Sequence, residues 1–159
     1  MIPVIRHVAR GAAAGLLATG AMSAVMLAGE RAGLLPGQPP RHIVRAALPG
    51  HRRRPKRGEK ALGAGAHLAF GMGSGALLGL LARDGRVRLP LGVGYGLLIW
   101  VTSYEGWVPA MDILPPISRD PEPGRPAVMA AGHVVYGATL ALALNRLRRR
   151  GTAQAATQP

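Results

Sequence analysis

From Ala61 to Ala82 the chain runs without a single Asp, Glu, Lys or Arg, and three further stretches are almost as bare. Val8 to Gly29 holds only Arg10, Leu89 to Val108 only Glu105, and Ala127 to Leu144 carries only His133. Each is about as long as the roughly 20 residues a helix needs to cross a hydrocarbon core. A transmembrane β-barrel needs shorter segments of alternating polarity, and none is visible. The pattern predicts an all-α fold: a polytopic membrane protein, a four-transmembrane-helix bundle with Pro-rich connecting loops. Its spans fall at about 8–29, 61–82, 89–108 and 127–146. They make one domain over residues 1–150, followed by a small, polar tail at 151–159 expected to be disordered.

Composition agrees with lipid as the solvent. Charged residues make up 17% of the chain, below the roughly 25% usual in soluble domains. A single Phe and 23 Gly leave few bulky side chains for a water-excluding core, whereas helices in lipid associate by close backbone approach over small residues. The net charge of +13 raises nucleic-acid binding as a class. The basic residues lie between and after the apolar runs, as in membrane loops, so the expected partner is the lipid bilayer and not nucleic acid. With no Cys, disulfides and thiolate chemistry are excluded. The first apolar run outlasts the 7–15 residues of a signal-peptide core, which argues for a retained span.

The connections differ in character. Glu30 to Lys60 contains Pro36, Pro39, Pro40, Pro49 and Pro55 and the basic run from His51 to Arg57, and Arg41 to Leu48 reads as a short interfacial helix. Arg83 to Arg88 is a tight turn around Asp84-Gly85. Pro109 to Pro126 carries five further prolines after Pro109 and reads as an irregular crossing loop that cannot continue a helix. With both termini inside, the cytoplasmic segments hold nine Lys/Arg and the opposite side eleven, so the positive-inside bias nearly cancels. The cluster from Arg146 to Arg150 abuts its span directly and favours cytoplasmic termini.

Glycines recur at helical spacing. Gly71, Gly75 and Gly79 form a ridge on the second span, Gly11 and Gly15 continue through Thr19 and Ser23 on the first, and Gly92 and Gly96 mark the third. Such ridges serve either a homo-oligomer face or packing within the bundle, and four short helices must first pack on each other. Ser74, between Gly73 and Gly75, reads as a packing residue. Trp107 fits an interfacial anchor, while Trp100 lies deeper and packs.

Alternating helix direction places the polar residues together. Glu30 ends the first span, His67 opens the second, Tyr104 and Glu105 close the third, and His133 and Tyr136 open the fourth. All six fall in one leaflet, and ionisable groups at membrane depth are functional candidates by default. One account has the histidines hydrogen-bonding Tyr104, Tyr136 or loop backbone to lock the bundle ends. A second makes His67, Glu105 and His133 a proton-responsive or solute-binding pocket. A third places haem or a metal between the two histidines; without a carboxylate cluster or close His pair, no metal or cofactor is expected. No catalytic constellation is present.

The stretch Tyr104-Glu105-Gly106-Trp107-Val108-Pro109, with Met111 and Pro115-Pro116, resembles the third helix and Pro-Pro loop of the YagU-like inner-membrane proteins. Gly132-His133-Val134-Val135-Tyr136 resembles the motif that opens their last helix, and His67 falls where that family has a His. Tyr104 departs from the pattern, standing where the family has a further His, which weakens a three-histidine site. The resemblance implies a bacterial inner-membrane protein with no assigned activity. The reading is therefore a structural or accessory membrane protein and not an enzyme, with a membrane-protein partner or homo-oligomer as candidate assemblies.

Overall fold

The computed structural model describes residues 2–156 apart from 38, 52, 53 and 84, with side chains from 4 to 149. Among them every regular element is helical. α1 (Ile2–Arg31) stops where Gly33 takes φ 73°. There the Gly33 N–H reaches the Glu30 carbonyl and the Leu34 N–H the Gly29 carbonyl, the bonds that close a Schellman end. α2 (Pro39–Ala47) is the expected short helix, begun by two prolines whose missing N–H groups cost nothing in a first turn. α3 (Glu59–Leu81), α4 (Leu89–Val101) and α6 (Gly124–Ala156) follow, with a short α5 (Val108–Ala110) between the last two.

Three helical stretches, Val4–Arg31, Glu59–Leu81 and Gly124–Arg149, are long and apolar enough to cross a membrane. The third expected span differs from the expectation: α4 is only 13 residues long and passes at Thr102 into a six-residue π turn, Thr102–Trp107. Pro109 accounts for the change, because it has no N–H to offer and its ring crowds the carbonyl four residues back. The Val108 N–H instead reaches Ser103 O, five residues back. The Thr102 and Ser103 hydroxyls donate to the carbonyls of Leu98 and Ile99, an alternative to the helical ladder. Backbone dihedrals leave the helical region at Gly106.

The last helix also corrects the expected limits. It starts at Gly124, so Pro126 lies in its first turn, where proline is tolerated, and not in a loop. It then runs through Ala156, past the expected end of the span and into the segment read as a tail. Residues 157–159 of that tail, Arg52 and Arg53 of the basic run, and Asp84 of the tight turn lie outside the described residues.

Glycine ridges set the packing. A Cβ on Gly75 would lie 2.7 Å from the Gly15 Cα, and one on Gly79 2.9 Å from the Gly11 Cα. A Cβ on Gly71 would strike the Thr19 hydroxyl, and one on Gly15 the Gly71 carbonyl. As the α1 number rises by four its α3 partner falls by four, so the two helices are antiparallel and backbone to backbone. Gly92 and Gly96 meet Gly137 and the His133 carbonyl of α6 in the same way. The core lies between these pairs: Ala14, Ala18, Met22 and Met26 of α1 against Leu140 and Leu144 of α6, with Ile99 and Trp100 packed alongside.

At the end of the bundle holding the 83–88 turn, the Asn145 amide pairs with both backbone groups of Val87, at 3.0 and 2.8 Å. Arg148 donates to the carbonyls of Ala82 and Gly79, supplying a cation where the α3 macrodipole is negative. At the opposite end α2 is clamped to α3: Arg45 meets Glu59 in a two-pronged ion pair at 2.8 and 2.5 Å. The Lys56 ammonium donates to Arg45 O in the last turn of α2 and to Leu48 O just beyond it.

Candidate functional site

The two Pro-rich segments close over the bundle at this second end. Pro39, Pro40 and Ile43 of α2 and Leu114 of the 111–123 loop form the roof of a cavity of about 210 Å³. Its walls are Met22 and Met26 of α1, Ala66 and Phe70 of α3, Trp107 of the π turn and Met129 of α6. Four polar side chains reach it: His67, His133, Ser103 and Tyr104.

Most of that polarity is already committed. The Ser103 hydroxyl donates to the Ile99 carbonyl, and the Tyr104 hydroxyl donates to Asp120 Oδ2. His133 is buried, and its Nδ1 lies 2.8 Å from Met129 O. A carbonyl only accepts, so Nδ1 carries the proton, and in the neutral ring Nε2 is left as an acceptor. His67 lines the same cavity from α3, half-buried. Both histidines also line a narrow crevice of about 20 Å³ that leads deeper between Thr19, Ser74 and Tyr136, room for a single water.

The six sequence candidates thus separate. His67, His133 and Tyr104 come together at the cavity. Tyr136 lies beside the crevice, where its hydroxyl donates to Gly71 O at 2.8 Å and ties α6 to α3. Glu105 does not join them: in the π turn Tyr104 points inward and Glu105 outward, exposed, accepting from the Ile117 N–H at 2.8 Å. It holds the start of the 3₁₀ turn Ile117–Arg119 and pairs with neither histidine. Glu30, half-buried at the end of α1, does not line the cavity. Among the described residues no three His, Asp or Glu side chains are grouped to hold a metal.

Two residues that the sequence pattern did not single out, Asp120 and Arg125, complete the cap. The Asp120 side chain is 1% exposed; its Oδ1 accepts from Arg125 Nη1 at 2.8 Å and from the Glu122 N–H at 3.0 Å. Tyr104, Asp120 and Arg125 form a buried latch that pins the Pro-rich loop to the π turn and to the first turn of α6. The available signal was an arginine in the first turn of an apolar span with an aspartate five residues before it.

The chain matches the model of a family of unknown function, DUF6789, over residues 5–155. It belongs to this family. The match takes in every element of the site, from Met22 on α1 to His133 on α6, and nothing in it connects the family to the YagU-like proteins. No curated protein and no solved structure matches the chain.

Proposed function

We propose that this DUF6789 member is a four-span protein of the bacterial inner membrane, termini cytoplasmic, with an accessory binding role and no enzymatic activity. The YagU-like motifs around Trp107 and His133 are what favour the bacterial placement. The fourth crossing is the path from Leu89 to Ala110. α4 covers about 20 Å at 1.5 Å per residue, and the π turn and α5 carry the path on. Its outer face is as apolar as those of the other three helices: Leu98 is 59% exposed, beside 58% for Leu17, 50% for Leu77 and 56% for Leu142. Exposed leucines on all four segments suit a surrounding of acyl chains.

The cavity carries the binding role. Its walls are apolar, its hydroxyls already donate to the protein, and the remaining polar group of defined character is the His133 Nε2 acceptor. Among the described residues no carboxylate or activated nucleophile lines it. That set suits holding an apolar molecule with one hydrogen-bonding head group, not transforming one. The volume falls below the roughly 300–1,000 Å³ of common ligand sites, so a small molecule or the end of a longer chain fits.

A brominated long-chain alcohol tests this through Trp107, one of two tryptophans. In a Trp100→Phe background, quenching in vesicles should saturate, and Ala66→Leu, which fills the cavity, should leave only the linear quenching due to the bilayer. Linear quenching in both proteins refutes the binding role.

A further inference from the structure

At the end opposite the cap, a second recess of about 350 Å³ opens between the start of α1, the 83–88 turn and the last turns of α6. Five arginines line it, Arg10, Arg83, Arg86, Arg148 and Arg149, together with His7 and Asn145. No Asp or Glu among the described residues lines it. Arg148 is committed to the α3 carbonyls and Asn145 to Val87. Arg10 of α1 and Arg86 of the turn bring like charge to one mouth, where an anion shared between them offsets their repulsion. Within the recess the His7 Nδ1 is buried and has no hydrogen-bond partner, and a buried polar atom of this kind calls for one.

The recess continues into a neighbouring hollow with basic and apolar walls. Arg86 and Asn145 also line this hollow, whose other walls are Val87, Arg88, Leu89, Ala141 and Leu142. Leu89 is 49% and Leu142 56% exposed, facing outward along the bundle. Guanidinium groups at the helix ends, next to the exposed Leu89 of α4 and Leu142 of α6, match a phosphate head group with an acyl chain. Arginine forks are suited to such a phosphate.

We propose that this recess binds the phosphate of an anionic phospholipid, with His7 and Arg10 reaching the head group from α1 and Arg86 from the turn. The acyl chain lies against Leu89 and Leu142. The inference rests on the membrane-spanning reading but not on the cavity under the cap. The two sites lie at opposite ends of the bundle and share no residue.

The test compares the protein in phosphatidylcholine vesicles with and without phosphatidylglycerol, reading retained lipid by native mass spectrometry and thermal unfolding in parallel. Phosphatidylglycerol should be retained and should raise the unfolding temperature. Arg86→Gln should weaken retention about fivefold, the equivalent of ~1 kcal/mol for one basic residue at a membrane surface. Arg10→Gln with Arg86→Gln should weaken it further. A control of equal charge, Arg6→Gln with Arg146→Gln, removes two exposed arginines outside the recess and should leave retention nearly intact.

Equal losses in the two pairs would mean only diffuse attraction to the surface and would overturn the site. So would a full stabilisation by inorganic phosphate in phosphatidylcholine alone, which assigns the recess to free phosphate. If the double variant does not fold, Arg86→Gln against Arg146→Gln gives the same decision. A protein that fails to float with vesicles sinks the spanning reading itself; one that floats but ignores phosphatidylglycerol sinks only this inference.

Discussion

Replacing Gly75 by alanine adds one methyl group at the place where α1 and α3 come closest. The new Cβ would meet the Gly11 carbonyl and lie 2.7 Å from the Gly15 Cα and 2.9 Å from the Gly15 nitrogen. Carbon atoms rest at about 3.5–4.0 Å, so the helices must part locally by roughly 1 Å. Every atom struck is backbone, so no rotamer change relieves the clash. The cost belongs in the upper half of the ~1–3 kcal/mol typical of overpacking, about 2 kcal/mol, or roughly thirtyfold in the folding equilibrium. Gly73→Ala is the matched control, two residues away with nothing within 4 Å of its Cβ. It should be neutral or stabilising by up to ~1 kcal/mol from helix propensity alone. Unfolding in mixed micelles, followed by circular dichroism against detergent composition, measures both. Equal stabilities for the two variants would refute the intrabundle role of the ridge. A Gly75→Ala protein that stays folded but shifts from oligomer to monomer on size-exclusion chromatography would move the ridge to a homo-oligomer face.

Asp120→Ala removes the centre of the latch and leaves the Arg125 guanidinium, 11% exposed, without its counter-ion; breaking such a pair costs about 3–5 kcal/mol. Pulsed hydrogen exchange should show the 111–123 loop opening first, and unchanged protection there would refute the latch. Burial, with the guanidinium groups of Arg45, Arg125 and Arg41 near it, pushes the His42 imidazole of α2 below its ordinary range. The folded cap therefore prefers neutral His42: its contribution is complete above about pH 6.5 and declines as the pH falls from there through the depressed value. Trp107 fluorescence in a Trp100→Phe background should report the cap loosening over that window, and His42→Gln should remove the pH dependence; a profile unaltered by His42→Gln would refute it. Because the chain has no Cys, single cysteines report topology cleanly. With four crossings, Ser118→Cys and Gly50→Cys label from the same face of the membrane and Gly85→Cys from the other. Labelling of Ser118→Cys together with Gly85→Cys would reduce the crossings to three.

The parts of this protein legible in its sequence are those set by repetition. Gly71, Gly75 and Gly79 recur every fourth residue and fall on one helix face whatever surrounds them, so a ridge could be read before its partner was known. Its partner, Gly11-Gly15-Thr19, was legible for the same reason. The candidate site depended on something repetition does not encode, the phase of the helix at its end. Tyr104 and Glu105 are neighbours, and along a continuous α-helix either can face inward. The π turn that precedes Pro109 contains both residues and decides the matter, sending Tyr104 to Asp120 and Glu105 to the Ile117 N–H. The expected His–Glu pair was thereby lost, and a Tyr–Asp–Arg latch took its place under the cap. Asp120 escaped the sequence reading because its burial comes from the fold-back of a Pro-rich loop sixteen residues downstream of Tyr104. Helix periodicity carries no information about that closure. The histidines needed no such phase: His67 lies inside the proline-free α3, twelve residues after Pro55, and His133 lies about two turns past Pro126 on α6. For that reason their convergence did not depend on the π turn, and with Glu105 turned away the described residues lining the cavity offer imidazole and the latched Tyr104 as ionisable functions. A site so composed offers hydrogen bonds to a guest, which is what the proposed binding role requires of it.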